Sequence, residues 1–289
     1  MALDTGIDNR HLYSAVRIRA KYQFSQDLPA KNIYGTGFLV GCEGSDEKAC
    51  IVSNRHILDF GWVEPIWADV EKSFDLEIWL DRTTKLECKI VPDRVFVHYD
   101  DTIDVAAIPF SRVLMKKPII GDLYPKSALP WSFLADAQAQ WELLEPSENV
   151  YFPGYPHWYD RNEGRPIMRT GAIVSDPQFD YRRFTGEPKK SDGNRQILFE
   201  AFSSGGNSGS PVFVEQRGLK SSNHIAYTGV YHPSLLVGIN AGHIELKGET
   251  IETAEGKLHL TNWHVGLSRM FKTSAIIDVV RDLSANYEW

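Results

Sequence analysis

The stretch Gly205–Phe213 reads GGNSGSPVF and places Ser208 between glycines, directly ahead of an apolar run. Glycine adopts backbone conformations that other residues avoid, so flanking glycines permit a tight turn and the close approach of another molecule. Such a turn can expose the serine hydroxyl while neighbouring backbone N–H groups converge on one point, as acyl transfer requires. A Gly/Ser-rich hairpin turn without chemistry is the simpler alternative.

A serine hydroxyl needs a base before it can act as a nucleophile, and the segment Ala49–Leu58 (ACIVSNRHIL) offers one. This apolar run becomes polar and ends with His56, ahead of another apolar pair. Histidine accepts a proton readily near neutral pH. Because a lone histidine is often structural, it is the combination with Ser208 that makes His56 the candidate base.

A carboxylate should bond the second imidazole nitrogen and fix the tautomer of the ring. Three aspartates follow His98 within six residues: Asp100, Asp101 and Asp104. Asp104 directly precedes an apolar strand and should be buried, whereas Asp100 and Asp101 lie in polar company typical of turns. We therefore predict that Asp104 orients His56.

Short apolar or alternating runs, separated by Gly, Pro, Asn and Asp, predict β-strands in two groups. The strands are predicted at 33–40, 49–53, 76–80, 86–91, 95–99 and 105–110, and then at 150–152, 168–174, 196–202, 211–215, 235–240 and 264–269. Between the groups, 121–146 lacks strand periodicity and predicts a connector with a helical turn at 135–144.

Residues 275–283 space their apolar side chains at helical intervals and follow Thr273 and Ser274, residue types that cap helices. We therefore predict an all-β protein of two β-barrels with a C-terminal helix. The expected parts are 1–120 with His56 and Asp104, the connector 121–146, and 147–289 with Ser208 and the helix.

The composition is that of a globular protein, 43% hydrophobic and 24% charged, with a formal net charge of −7. This acidity gives no reason to expect a nucleic acid or an anionic membrane as partner. No stretch approaches the roughly 18 consecutive apolar residues of a membrane span. The first ten residues lack a basic region followed by an apolar run, so we expect no export signal and a cytoplasmic location.

Three cysteines, Cys42, Cys50 and Cys88, cannot all pair within one chain. Cys42 and Cys50 could face each other across a hairpin. Because no export signal is predicted, we favour free thiols, although the sequence leaves both states open.

Four segments occur in one order and together resemble the trypsin-like peptidases of the chymotrypsin superfamily, especially the non-zymogen branch that includes the HtrA/DegP proteases. They are 35–40 (GTGFLV), 52–56 (VSNRH), 104–106 (DVA) and 206–211 (GNSGSP). Further matches are 150–156 (VYFPGYP), 168–173 (MRTGAI) and 236–242 (LVGINAG). The resemblance runs from about Gly35 to Leu283.

The resemblance implies a chymotrypsin-like double Greek-key β-barrel and a serine endopeptidase acting on proteins or peptides. His56 and Asp104 would come from the first barrel and Ser208 from the second. The backbone N–H groups of Gly206 and Ser208 would form an oxyanion hole, and no metal or organic cofactor would be needed.

The resemblance also implies the position of the substrate pocket. The family's pocket floor lies six residues before the nucleophile, here at Phe202, and the bordering strand supplies Ile239, Asn240 and Ala241. Without an acid in this segment, we expect cleavage after uncharged residues rather than after Lys or Arg.

Two departures from the family pattern bear on regulation. Ser210 replaces a usual glycine, and Asn207 replaces the aspartate that pairs with a newly cut N-terminus in zymogens. The polar segment Phe179–Arg195 predicts a long exposed loop. We therefore expect any regulatory protein partner to act through loops of the second barrel rather than through N-terminal trimming.

Two other functions compete with peptide hydrolysis. The first is a binding or regulatory protein on an inactive peptidase scaffold. The second is an α/β-hydrolase esterase, which would require alternating helices and the chain order nucleophile, acid, base. The order here is His56, Asp104, Ser208, and predicted strands dominate.

Overall fold

The computed structural model describes most of the chain. The described residues are 9–25, 28–45, 48–110, 128–157, 162–218, 231–246, 250–253, 256–259 and 263–289. Within these ranges, no helix has the length and apolar character needed to cross a membrane.

Strands make up most of the secondary structure in the described residues. They are β1 Ala15–Gln23, β2 Lys31–Gly41, β3 Ala49–Ser53, β4 Glu71–Trp79, β5 Lys85–Ile90, β6 Phe96–Val97, β7 Ala106–Phe110, β8 Asn149–Gly154, β9 Ile167–Ile173, β10 Gln196–Glu200, β11 Pro211–Val214, β12 Leu235–Leu246, β13 Thr250–Thr253, β14 Gly256–His259 and β15 Trp263–Lys272. The α-helices are α1 Asn9–Leu12, α2 Arg55–Leu58, α3 Trp131–Ala139 and α4 Thr273–Asn286. Short 3-10 helices lie at Phe60–Trp62, Pro65–Trp67 and Trp141–Leu143.

The first lobe is a seven-stranded antiparallel sheet in the order β5-β4-β1-β2-β3-β7-β6. Strand β1, which the sequence patterns did not predict, lies in its interior between β4 and β2. Its side chains alternate between faces, so Ile18 is fully buried while Arg17 and Arg19 face outward. The two arginines form ion pairs with Glu77 and Asp75 on β4.

The second lobe is a closed barrel in the order β10-β15-β12-β11-β8-β9, with β13 and β14 as a separate hairpin. The barrel begins after α3, which starts at Trp131, four residues before the predicted helical turn. Residues 121–127 of the predicted connector lie outside the described residues.

Helix α4 packs its apolar face against both lobes. One core cluster contains Phe38 from the first lobe, Phe271 from the second and Ile276 from the helix. The predicted capping role of Thr273 is wrong, because Lys272 is the N-cap and the Thr273 hydroxyl donates to the Leu236 carbonyl. That bond ties the start of the helix to β12.

The predicted mostly-β fold with a C-terminal helix is confirmed. Of the two predicted barrels, the second is closed, whereas the described strands of the first form a seven-stranded sheet. Cys42 and Cys50 lie beside each other at the β2–β3 hairpin, buried and without a disulfide. The hairpin is thus held by its backbone ladder and apolar packing.

Candidate active site

His56 and Asp104 lie close together because they adjoin the same end of two neighbouring antiparallel strands in the first sheet. Strand β3 ends at Ser53, which pairs with Ala106 at the start of β7. His56 follows β3 in the first turn of α2, and Asp104 precedes β7. His56 Nδ1 lies 2.7 Å from Asp104 Oδ2, and the His56 backbone N–H donates to Oδ1 at 2.9 Å. The fully buried carboxylate therefore contacts both the ring and the backbone of His56.

Asn54 holds the backbone of Asp104. Its side-chain amide donates to the Asp104 carbonyl at 2.8 Å, and both residues are fully buried. Asn54 occupies the N-cap position of α2 but makes no side-chain cap hydrogen bond. The side chain thus serves Asp104 rather than the helix.

The other two aspartates have different partners. Asp100 Oδ1 accepts from the Thr102 backbone N–H at 2.9 Å and from its hydroxyl at 2.6 Å, as in a tight turn. Asp101 is largely exposed and pairs with Arg55 at 2.7 Å. The structure thus places Asp104, and neither of these two, against the His56 ring.

Ser208 lies in a turn whose glycines adopt left-handed backbone conformations. Gly206 has φ 95° and Gly209 has φ 87°. A Cβ on Gly206 would lie 2.2 Å from the Tyr155 carbonyl, and one on Gly209 would lie 1.9 Å from the Thr36 carbonyl. Only glycine fits these positions, as the sequence pattern predicted.

Thr36 on β2 joins this turn to the first lobe. Its backbone N–H donates to the Ser208 carbonyl at 2.8 Å, and its hydroxyl donates to the Gly206 carbonyl at 2.7 Å. A Cβ on the adjacent Gly35 would lie 2.9 Å from the Ile57 side chain and 3.2 Å from the Ser208 carbonyl. The Ser208 turn and the helix that carries His56 therefore lie on either side of one glycine.

The turn leaves two backbone N–H groups available. Within the described residues, the Gly206 and Ser208 amides donate to no protein acceptor. Asn240 anchors the turn from β12, because its side-chain amide donates to the Asn207 carbonyl at 2.8 Å and its carbonyl accepts from Gly209 at 2.9 Å. The Ser208 side chain itself is partly exposed. Two free N–H donors beside an accessible hydroxyl suit an oxyanion site.

Ser210, which replaces the usual glycine, is accommodated by Gly154 at the end of β8. Both Ser210 and Asn207 are fully buried, and among the described residues Ser210 Oγ and Asn207 Oδ1 have no hydrogen-bond partner. A Cβ on Gly154 would lie 2.4 Å from Ser210 Oγ and 2.7 Å from Asn207 Oδ1. The space above Gly154 is therefore occupied by these two side chains.

The residues expected at the substrate pocket differ in their exposure. Ile239 and Ala241 are buried in the apolar core, and the buried Asn240 side chain bonds Ser203 as well as the turn. Only the backbone of this strand can border an open pocket. Phe202 is 64% exposed, with its ring centroid 5.1 Å from that of His264.

Two histidines that were not selected from the sequence, His264 and His243, lie near Phe202. The His264 ring stacks on His243 with centroids 4.6 Å apart, and His243 Nε2 lies 2.7 Å from Glu245. Burial, and then the neighbouring His243, lower the pKa of His264. The alternation of polar residues along β12 and β15 could have indicated that these side chains share one face.

Sequence reasoning also missed Ser191, in the loop that was predicted to be merely polar. Its hydroxyl donates to Asp104 Oδ2 with an oxygen–oxygen distance of 3.3 Å. Nothing in the loop sequence marks this serine, because the contact depends on tertiary structure. No cluster of three or more His, Cys, Asp or Glu side chains suited to a metal ion occurs among the described residues.

Comparison with known proteins bears on this geometry. A family model described as "Trypsin-like peptidase domain" matches residues 35–219, which include His56, Asp104 and Ser208. A search of curated protein sequences finds no match. The chain is similar to a solved structure described as "Structure of Glu endopeptidase in complex with MPD", with TM-score 0.47 and 12% identity over 98% of this chain and 96% of that chain. The family match spans more than half of the sequence, so the chain belongs to the trypsin-like peptidase domain family and has its chymotrypsin-like fold.

Proposed function

We propose that this trypsin-like peptidase domain is an active serine endopeptidase with Ser208 as nucleophile, His56 as base and Asp104 as orienting acid. The observation that carries the proposal is the 2.7 Å contact of His56 Nδ1 with the fully buried Asp104 carboxylate. A hydrogen bond of this kind fixes Nδ1 as the protonated nitrogen and leaves Nε2 as the proton acceptor.

In the first half of the reaction, His56 Nε2 takes the proton of Ser208 as its oxygen attacks the scissile carbonyl carbon. The carbonyl oxygen becomes an oxyanion, which the N–H groups of Gly206 and Ser208 stabilise. When the tetrahedral intermediate collapses, the C–N bond breaks and His56 gives its proton to the leaving amine. The acyl group remains on Ser208 as an ester.

In the second half, water replaces the leaving amine. His56 deprotonates the water as it attacks the ester, and the same N–H groups stabilise the second oxyanion. Collapse returns the proton to Ser208 and releases the acid product. The Asp104 carboxylate keeps the imidazole oriented and stabilises its protonated form in both halves.

The test is Ser208→Ala, assayed on peptides and by labelling with a fluorophosphonate probe. Removing the nucleophile should lower kcat by several orders of magnitude and abolish labelling. Ser132→Ala, at an exposed serine on α3, is the matched control and should behave as wild type. Wild-type protein that neither cleaves peptides nor reacts with the probe would indicate an inactive scaffold, and a variant with more than about a tenth of wild-type activity would exclude Ser208 as nucleophile.

A further inference from the structure

Ser191 in the second lobe contacts Asp104, the proposed orienting acid in the first lobe. Ser191 lies in the loop between β9 and β10, and its hydroxyl donates to Asp104 Oδ2 at 3.3 Å. The same carboxylate oxygen lies 2.7 Å from His56 Nδ1. Asp104 Oδ2 therefore contacts both the imidazole and a loop hydroxyl.

Arg269 on β15 determines the direction of the Ser191 hydrogen bond. Its guanidinium donates from Nη2 to Ser191 Oγ at 3.1 Å and from Nη1 to the Ser191 carbonyl. Because the hydroxyl oxygen accepts from Arg269, its own proton is left to be donated. Asp104 Oδ2 is the acceptor within reach.

The backbone around Ser191 is built to present this hydroxyl. Ser191 has φ 61°, a left-handed conformation that is uncommon for residues other than glycine and persists where the surroundings impose it. On one side, Lys190 Nζ donates to the Trp62 carbonyl at 2.8 Å. On the other, the Gly193 N–H donates to the Thr102 carbonyl at 3.2 Å. The loop is thus attached to the first lobe on both sides of Ser191.

Arg269, which holds Ser191, interacts with three charged groups: Asp104, Asp192 and Arg183. Arg269 is largely buried, and burial lowers its pKa, while the negative charges of Asp104 and Asp192 act in the opposite direction and Arg183 adds to the lowering. Arg269 Nη1 lies 4.0 Å from Asp192 Oδ1. Asp104 therefore faces His56, the Ser191 hydroxyl and, behind that hydroxyl, the guanidinium of Arg269.

We propose that Ser191 is a positioning residue for catalysis, which fixes the Asp104 carboxylate against His56 and is itself held by Arg269. The inference rests on the proposed function of the triad. In this role, the β9–β10 loop influences kcat by orienting Asp104 and does not influence substrate binding. A partner that displaced this loop would reduce the rate of the chemical step.

The test is Ser191→Gly, because glycine adopts the positive φ without strain and removes only the hydroxymethyl group. We expect kcat to fall about tenfold, the effect of losing one hydrogen bond to a charged group, with KM unchanged. The loss should therefore appear in kcat, whereas a residue that binds substrate would change KM.

Ser147→Gly is the matched control, since Ser147 is an exposed serine with φ 73° just before β8, and it should leave kcat and KM unchanged. If Ser191→Gly matches wild type in both measurements while Ser208→Ala is inactive, the positioning role is overturned and the triad stands. A loss confined to KM would overturn it as well, by assigning Ser191 to substrate binding. An active Ser208→Ala variant would instead refute the proposed function.

Discussion

Asp104 is a buried carboxylate whose two oxygens accept three hydrogen bonds from neighbouring residues. Oδ1 accepts from the His56 backbone, and Oδ2 accepts from the His56 ring and from Ser191. Burying a carboxylate without partners costs several kcal/mol, so this set of donors offsets the cost of placing Asp104 at zero exposure. The same bonds restrict the carboxylate to one orientation.

Replacement of Asp104 by Asn should therefore be far more harmful than replacement of its neighbours. An asparagine can hold His56 in the wrong tautomer and cannot stabilise the protonated ring. We expect Asp104→Asn to fold and to lose activity by a factor on the order of 10³ to 10⁴ at neutral pH. Peptide hydrolysis and circular dichroism of the purified variants measure the two effects.

The controls are Asp100→Asn and Asp101→Asn. Asp101 loses only an exposed ion pair with Arg55, and Asp100 only turn contacts with Thr102, so both should keep activity within about twofold. A greater loss from either control than from Asp104→Asn would mean that another carboxylate orients His56.

At the scale of elements, the conformation of the Ser208 turn depends on the residue at the end of β8 that packs against it. Gly154, the last residue of β8, leaves room for the buried Ser210 and Asn207 side chains. Those residues follow Gly206 and flank Ser208 in the turn. The positions of the Gly206 and Ser208 backbone N–H groups therefore depend on having glycine at position 154.

Gly154→Ala should displace this turn, because the new methyl group would lie 2.4 Å from Ser210 Oγ. Overpacking of this kind costs about 1–3 kcal/mol of stability. We expect a lower Tm and fluorophosphonate labelling slowed by about tenfold, since the proposed oxyanion donors would move with the turn. The double variant Gly154→Ala with Ser210→Gly removes the closest contact and should recover part of the labelling rate. Equal labelling of the single and double variants would show that Ser210 is not the cause.

Strand β1 shows why some elements escape prediction from sequence. Its sequence, AVRIRAKYQ, does alternate, but every second residue near its middle is a charged side chain. Those charges are stabilised by partners on β4 about 60 residues away, as in the Arg17–Glu77 pair at 3.0 Å. Patterns within one window cannot include such partners, whereas a strand such as β3 (ACIVS) was recognised from its own uncharged residues.

The candidate site divides in the same way. Three residues, Ser208, His56 and Asp104, could be selected because each lies beside an apolar run. The change from apolar to polar residues at that point is visible in the local sequence. Ser191 could not, since its role depends on Arg269 from a distant strand and on Asp104 from the other lobe. Polar residues that act through tertiary contacts leave no local pattern.

At the scale of the whole molecule, two effects on substrate choice oppose each other. The net charge of −7 attracts basic peptides, whereas burial of a basic side chain in the candidate pocket removes it from water. That attraction is screened beyond about 8 Å at physiological ionic strength. The candidate pocket holds Phe202 and the His264–His243 pair, and Glu245 beside them is already bonded by His243. A Lys or Arg side chain would find no free counter-charge among these groups.

We therefore predict that cleavage follows uncharged, aliphatic residues in preference to Lys or Arg, in spite of the acidic surface. Burying an unpaired ammonium or guanidinium costs several kcal/mol, whereas steering changes mainly the rate of encounter. The measurement is digestion of a proteome-derived peptide library by wild type, with Ser208→Ala alongside to remove background. The preference should persist when the salt concentration is raised, because salt weakens steering but not local desolvation. Cleavage dominated by Lys and Arg in wild type alone would contradict the assignment of Phe202 to the pocket.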